Sequence, residues 1–171
     1  MRGCIYVKLN KIFKQRDTLP TDKFDKINYE NFSKDMTKFV NENYIYSSTN
    51  YLLTTDLKNK YTYIFNKNNS SWIQIYKWKC TVGKPKTPTI TGVFQISGRK
   101  PYFGDENYSV KYATRIIGGY YYHSVLYDST GSYIIDGRLG QALSHGCIRL
   151  NTNDAKWIYE NILDGTTVII N

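Results

Sequence analysis

From Asn50 onward the chain alternates short runs rich in Tyr, Ile, Val and Thr with clusters of Gly, Asn, Asp and Ser. No other feature narrows the fold as much. Short runs of β-branched and aromatic residues bounded by turn residues form strands, and many such strands at close spacing close into a sandwich or barrel. Residues 51–55 and 61–65, separated by the polar stretch 56–60, predict a hairpin. A second turn at 67–71 leads into a long strand over 72–82 that ends at Gly83, and a Pro-containing loop over 84–91 precedes a strand at 93–96. Residues 109–117 and 120–127 read as two more strands broken at Gly118-Gly119, and a turn at 128–132 returns the chain through 133–135. The 17 tyrosines reinforce this β character.

The period changes near the C-terminus. Ala155, Ile158, Tyr159 and Ile162 stand at i, i+3, i+4 and i+7, one face of a helix. Thr152 or Asn153 suits its N-cap, Asp154 its first turn and Gly165 its stop, after which 166–170 reads as a last strand. Residues 1–48 are more polar and lysine-rich, with helical spacing of Tyr29, Phe32, Met36, Phe39 and Val40 over 28–43. The expectation is a partly helical N-terminal extension or linker over 1–48 and one mainly-β domain, a sandwich with a late helix, over 49–171.

A net charge of +9 would suit nucleic acid, anionic membranes or anionic wall polymers, but no run of five basic residues occurs. Nucleic acid is therefore not expected as a partner, and dispersed lysines serve solubility while allowing electrostatic contact with wall polymers. Cys4, Cys80 and Cys147 are odd in number and widely spaced, so no disulfide framework is read from them, and no CxxC pair suggests structural zinc. No segment is long and apolar enough to span a bilayer, and residues 1–13 lack the continuous apolar core of a signal peptide. A monomer without cofactor is expected.

Chemistry concentrates in Ser144-His145-Gly146-Cys147-Ile148-Arg149-Leu150. The only two histidines are His145, beside the cysteine, and His123, upstream on a strand-like segment. A free cysteine with pKa about 8.5 is mostly protonated at neutral pH, and an imidazole that takes its proton makes a thiolate–imidazolium pair. His123 is the chosen base, on one arm of a hairpin that the 128–132 turn folds back toward Cys147. Alternation sets Tyr121, His123, Val125 and Tyr127 on one face of that arm. Gly146 leaves the thiol open to approach, and the N–H groups of Gly146 and Cys147 are candidate oxyanion donors. Arg149 either binds a substrate carboxylate or pairs with an acidic side chain to hold the loop. Zinc held by His123, His145 and Cys147 is the rival reading of the same residues. Cys80 reads as a strand residue and Cys4 as incidental.

The motif, with His123-Ser124 before it, Asp154–Tyr159 and Gly165-Thr166-Thr167-Val168 after it, and Val82-Gly83-Lys84-Pro85, Thr87-Pro88-Thr89 and Gly92-Val93-Phe94 upstream, resembles the YkuD-type L,D-transpeptidase domain over residues 50–171. The resemblance implies a β-sandwich L,D-transpeptidase fold, peptidoglycan stem peptides as substrate, Cys147 as nucleophile and His123 as proton acceptor and donor. It implies that Ser124 or Ser144 helps orient the base and that His145 shapes the site; Tyr121, like Arg149, is a candidate substrate-binding or loop-stabilising residue. It also implies ping-pong acyl transfer giving 3→3 cross-links, a role in cell-wall biogenesis outside the cytoplasm, and acylation by carbapenem β-lactams. Hydrolysis of the same thioester, an L,D-carboxypeptidase activity, and a wall-binding module without catalysis are the alternatives.

Overall fold

Hydrophobic residues on both faces of one sheet dictate the architecture. The computed structural model describes residues 26–171. Strands β1 (Tyr51–Asp56) and β2 (Tyr61–Asn68) form the expected hairpin, and β3 (Ser71–Lys79) continues it antiparallel. β13 (Thr167–Ile170) lies parallel to β1, and β5 (Gly92–Gln95) closes this first sheet in the order β3-β2-β1-β13-β5. Leu53, Ile64, Phe94, Val168 and Ile170 point to one side of it; Leu52, Phe65 and Ile169 point to the other. Because both faces are covered, β1 is buried almost throughout rather than alternating with solvent.

The second sheet comprises β10 (Ile134–Asp136), β9 (Leu126–Tyr127), β7 (Ser109–Ile117), β8 (Tyr120–Ser124) and β12 (Ile148–Leu150), with β6 (Arg99–Gly104) also paired to β7. Its Ile116, Tyr122, Ile148 and Leu150 meet the first sheet in one fully buried core, which Ala155 and Ile158 of the late helix complete. β4 (Val82–Gly83) and β11 (Ala142–Ser144) form a small parallel pair. The fold is the mainly-β sandwich with a helix after the cysteine motif.

The outer face of the first sheet is covered by residues 26–48. The helical spacing there yields a shorter helix than 28–43, α1 (Met36–Glu42), preceded by turns and capped by Asp35, whose side chain accepts from Lys38 N–H. Phe32, Met36, Phe39, Val40 and Ile45 pack on Leu52, Phe65, Trp72 and Ile169. Asn41 grips the Trp72 backbone at both N–H (2.8 Å) and C=O (3.0 Å), and the Trp72 indole donates to Ile45 C=O (2.7 Å). Cys4 lies outside the described residues.

Three local expectations need correction. The helix α2 (Thr152–Asn161) is capped by Asn151, one residue earlier than read, because the Asn151 side chain reaches Asn153 N–H. The long strand over 72–82 breaks at Cys80-Thr81, where Thr81 pairs in isolation with Arg149. The strand expected over 120–127 is split at Val125 into β8 and β9: the 128–132 turn joins β9 to β10 in the expected hairpin, while β8, which bears His123, pairs in parallel with β12.

Candidate active site

That parallel pairing aligns Ile148 with Tyr122, Arg149 with His123 and Leu150 with Ser124, so the motif cysteine sits at the entrance of β12 beside the histidine strand. The turn before it is held by its own side chains. Ser144 Oγ donates to Cys147 C=O (2.6 Å) and accepts from Gly146 N–H (3.1 Å). Gly146 has φ +118°, and a Cβ there would lie 2.7 Å from Tyr120 Cε1, so only glycine fits. The 83–91 loop supports the turn from outside: Lys84 N–H (3.0 Å) and Thr87 Oγ1 (3.1 Å) both donate to Ser144 C=O. Gly146 N–H, one of the two oxyanion donors expected from the sequence, is bound to Ser144 Oγ in this structure.

His123, Cys147, Ser144, His145 and Arg149 line one cavity of about 160 Å³ together with Phe103, Tyr108 and Leu126. His123 is buried, and its Nδ1 lies 2.7 Å from Ser124 C=O. A carbonyl only accepts, so Nδ1 carries the hydrogen and Nε2 keeps the lone pair. Phe103 meets the imidazole edge-on at 5.7 Å. Burial lowers the imidazole pKa to about 4, opposed by the Ser124 bond and aided by the Arg149 charge. The Cys147 thiol donates to Gly119 C=O (3.4 Å), and its pKa is raised by burial, against the lowering effects of Tyr121 N–H and Arg149. Both groups are therefore neutral at rest, whereas the sequence suggested a standing ion pair.

The remaining residues have distinct places. Ser124 Oγ is spent on the sheet, accepting from Lys111 N–H and donating to Val125 C=O; its carbonyl is what orients His123. Of the two serines expected to orient the base, Ser124 does so and Ser144 holds the cysteine turn. His145 is exposed at the rim, where Lys84 Nζ donates to its Nε2 (3.0 Å). Tyr121 packs on Phe103 (5.3 Å) outside the cavity lining. Arg149 is 7% exposed and pairs with Asp136 (3.2 Å), the acidic partner of the loop-holding alternative. Asp136 is held at about 2, chiefly by its bonds to Arg138. Among the described residues no group of three or more His, Cys, Asp or Glu is gathered to hold a metal ion. Cys80 is buried in the core with its thiol pushed up to about 12 by desolvation.

Phe103, Tyr108, Leu126, Gly119 and Asp136 were not singled out from the sequence. Phe103 carried no usable signal, because β6 is an exposed edge strand containing Pro101. Asp136 was one of several acidic residues near the motif, with Asp128 and Asp154, and nothing in the sequence marked it as the partner of Arg149.

The profile described as YkuD, L,D-transpeptidase catalytic domain, matches residues 50–170. The chain belongs to this family. Over 33 residues it is 61% identical to YciB of Bacillus subtilis (strain 168), a protein provisionally assigned as an L,D-transpeptidase; the match spans 19% of this chain and 17% of YciB. Among solved structures it is similar to a fused Zn-dependent amidase/peptidase/peptidoglycan-binding domain-containing protein from Clostridium acetobutylicum. That likeness is 34% identity, with 90% of this chain and 63% of the clostridial chain covered and a TM-score of 0.67. It is also similar to an L,D-transpeptidase from Mycobacterium smegmatis, at 25% identity, 71% and 58% coverage and a TM-score of 0.56. The chain thus spans less than two thirds of each of these relatives.

Proposed function

We propose that this protein is a peptidoglycan L,D-transpeptidase working by ping-pong acyl transfer through Cys147. One observation carries the reading: Cys147 and His123 line the same small cavity, and the Ser124 carbonyl commits His123 Nδ1 so that Nε2 is the nitrogen left to accept a proton. As Cys147 Sγ attacks the carbonyl of the diamino acid at position three of a tetrapeptide stem, its proton passes to His123 Nε2. The C–N bond to the terminal D-Ala then breaks, and Nε2 returns the proton to the leaving amine. The side-chain amine of a second stem attacks the thioester, giving up a proton through Nε2 to the departing thiolate, and a 3→3 cross-link results. With Gly146 N–H bound to Ser144, this reading assigns the oxyanion to the Cys147 N–H. Carbapenem β-lactams acylate the same thiol. On this reading the protein works outside the cytoplasm in the cell envelope, as a monomer whose positive charge allows contact with anionic wall polymers.

Incubation with tetrapeptide muropeptides followed by mass spectrometry tests this. Cross-linked dimers that vanish in Cys147→Ala are the expected result. Tripeptides alone mark an L,D-carboxypeptidase. Unchanged substrate and an unacylated thiol would leave only a wall-binding module.

A further inference from the structure

Arg149 is a charged side chain more than nine-tenths buried, and it faces the cavity that holds Cys147. A guanidinium carries five N–H donors. Among the described residues one acceptor meets them: Asp136 Oδ2, at 3.2 Å from Nη1. Asp136 does not depend on that bond, since Arg138 holds it with Nε on Oδ1 (2.8 Å) and Nη2 on Oδ2 (3.0 Å). The other donors of the Arg149 fork have no protein acceptor among the described residues, and none of them is a fully buried unmet atom, so they remain accessible at the cavity that Arg149 lines. Register sets Arg149 opposite His123 on the neighbouring strand, beside both reacting groups. Among the described residues no carboxylate side chain lines the cavity.

From this geometry we infer that Arg149 is the specificity residue for a free C-terminal carboxylate on the donor stem, so that the cavity selects stems ending one residue past the scissile bond. The inference rests on the transpeptidase reading and names which part of its substrate is read. A carboxylate one residue from the scissile carbonyl is the nearest anion a bound stem can offer. It accepts two parallel N–H bonds from a guanidinium, the geometry in which arginine and carboxylate match best. The cavity volume of about 160 Å³ agrees. It is well below the range of roughly 300–1,000 Å³ of pockets that enclose a whole ligand, and it suits a single terminal residue rather than a continuing chain. A stem one residue longer would bring a neutral amide to the guanidinium and push a further residue against the wall.

The test compares a tetrapeptide stem with the same stem ending in a carboxamide, using the full chain and following release of the terminal residue. The native protein is expected to turn over the acid about 10- to 100-fold faster in kcat/KM, the range for a hydrogen bond to a charged group. Arg149→Gln is expected to lower kcat/KM on the acid more than on the amide, so that the native preference for the acid is lost. Iodoacetamide alkylation of Cys147 checks that the variant's site is formed. Equal native rates on acid and amide overturn the inference without touching the transpeptidase reading. So does an equal loss on both substrates in Arg149→Gln, which would make Arg149 a positioning residue for the thiol. Discrimination lost in Lys84→Met but kept in Arg149→Gln would move the carboxylate to the rim and overturn it too. Absence of turnover of either stem by the native protein overturns the underlying reading and the inference with it.

Discussion

Burial sets the protonation of Cys147 and His123 in opposite directions from the ion pair that an exposed cysteine and histidine would form. The thiol is raised and the imidazole lowered to about 4, so the proton rests on sulfur and moves only when a substrate arrives. Alkylation of Cys147 by iodoacetamide in the free protein should therefore climb with a single ionisation above the ordinary cysteine value of about 8.5. A fast plateau already present below pH 7 would show a standing thiolate and refute this. The same burial has a consequence for stability. His123 stays neutral in the folded state down to about pH 4, while the unfolded chain binds a proton below about 6.5. The unfolded state then holds more protons across that window, so stability falls as pH drops through it, by up to about 3 kcal/mol, and rises again with pH. Urea unfolding at pH 4 and pH 7 should show this loss, and His123→Gln should shrink it. An unchanged pH dependence in the variant would assign the loss to other groups.

At the scale of elements, the cysteine turn depends on one hydroxyl and one glycine. Ser144 Oγ joins the two ends of the turn, and Ser144→Ala leaves the buried Gly146 N–H without its acceptor. A cost of about 1–3 kcal/mol is expected in urea unfolding. A fall in kcat larger than the change in KM should accompany it, since the thiol loses its seating rather than the substrate its contacts. A variant as stable and as active as the native protein would show that the turn holds without the bridge. Much of this level was legible in the sequence. The hairpin of β1 and β2, the strands β5, β7 and β8, the 128–132 turn and α2 follow from local pattern, because neighbours in sequence are neighbours in space. The parallel pairing of β8 with β12 was not legible. It joins segments more than twenty residues apart, and no turn residue records a parallel crossover. β6 was missed because an exposed edge strand has no buried face to impose alternation. Cys147, His123, Ser144, His145 and Arg149, named from the sequence, share one cavity, whereas Phe103, Tyr108 and Leu126 and the protonation of the pair were not legible, since burial arises only when the sheets close over them.

For the whole molecule, the segment before β1 acts as a third layer. Its side chains fill the outer face of the first sheet, and Ser47 and Ser48 tie it to the other end of the chain through Thr167 N–H (3.1 Å) and Gly165 C=O (2.7 Å). The sequence shows this segment as polar and lysine-rich, and its few apolar residues look too sparse for a core. They suffice because the sheet supplies the other half: Leu52, Phe65, Trp72 and Ile169 have no other cover among the described residues. Phe39 is the centre of the contact, fully buried with its ring 4.8 Å from Phe32 and 5.5 Å from Tyr29. Phe39→Ala is expected to cost about 3–5 kcal/mol. Because the segment packs on the outer face of the same sheet whose other face forms the sandwich core, that loss should lower the midpoint of a single urea transition with its slope unchanged. Circular dichroism and cysteine-site fluorescence labelling should report the same midpoint. Two separated transitions, with only the first moved by the substitution, would show that the segment folds on its own and merely rests against the sandwich.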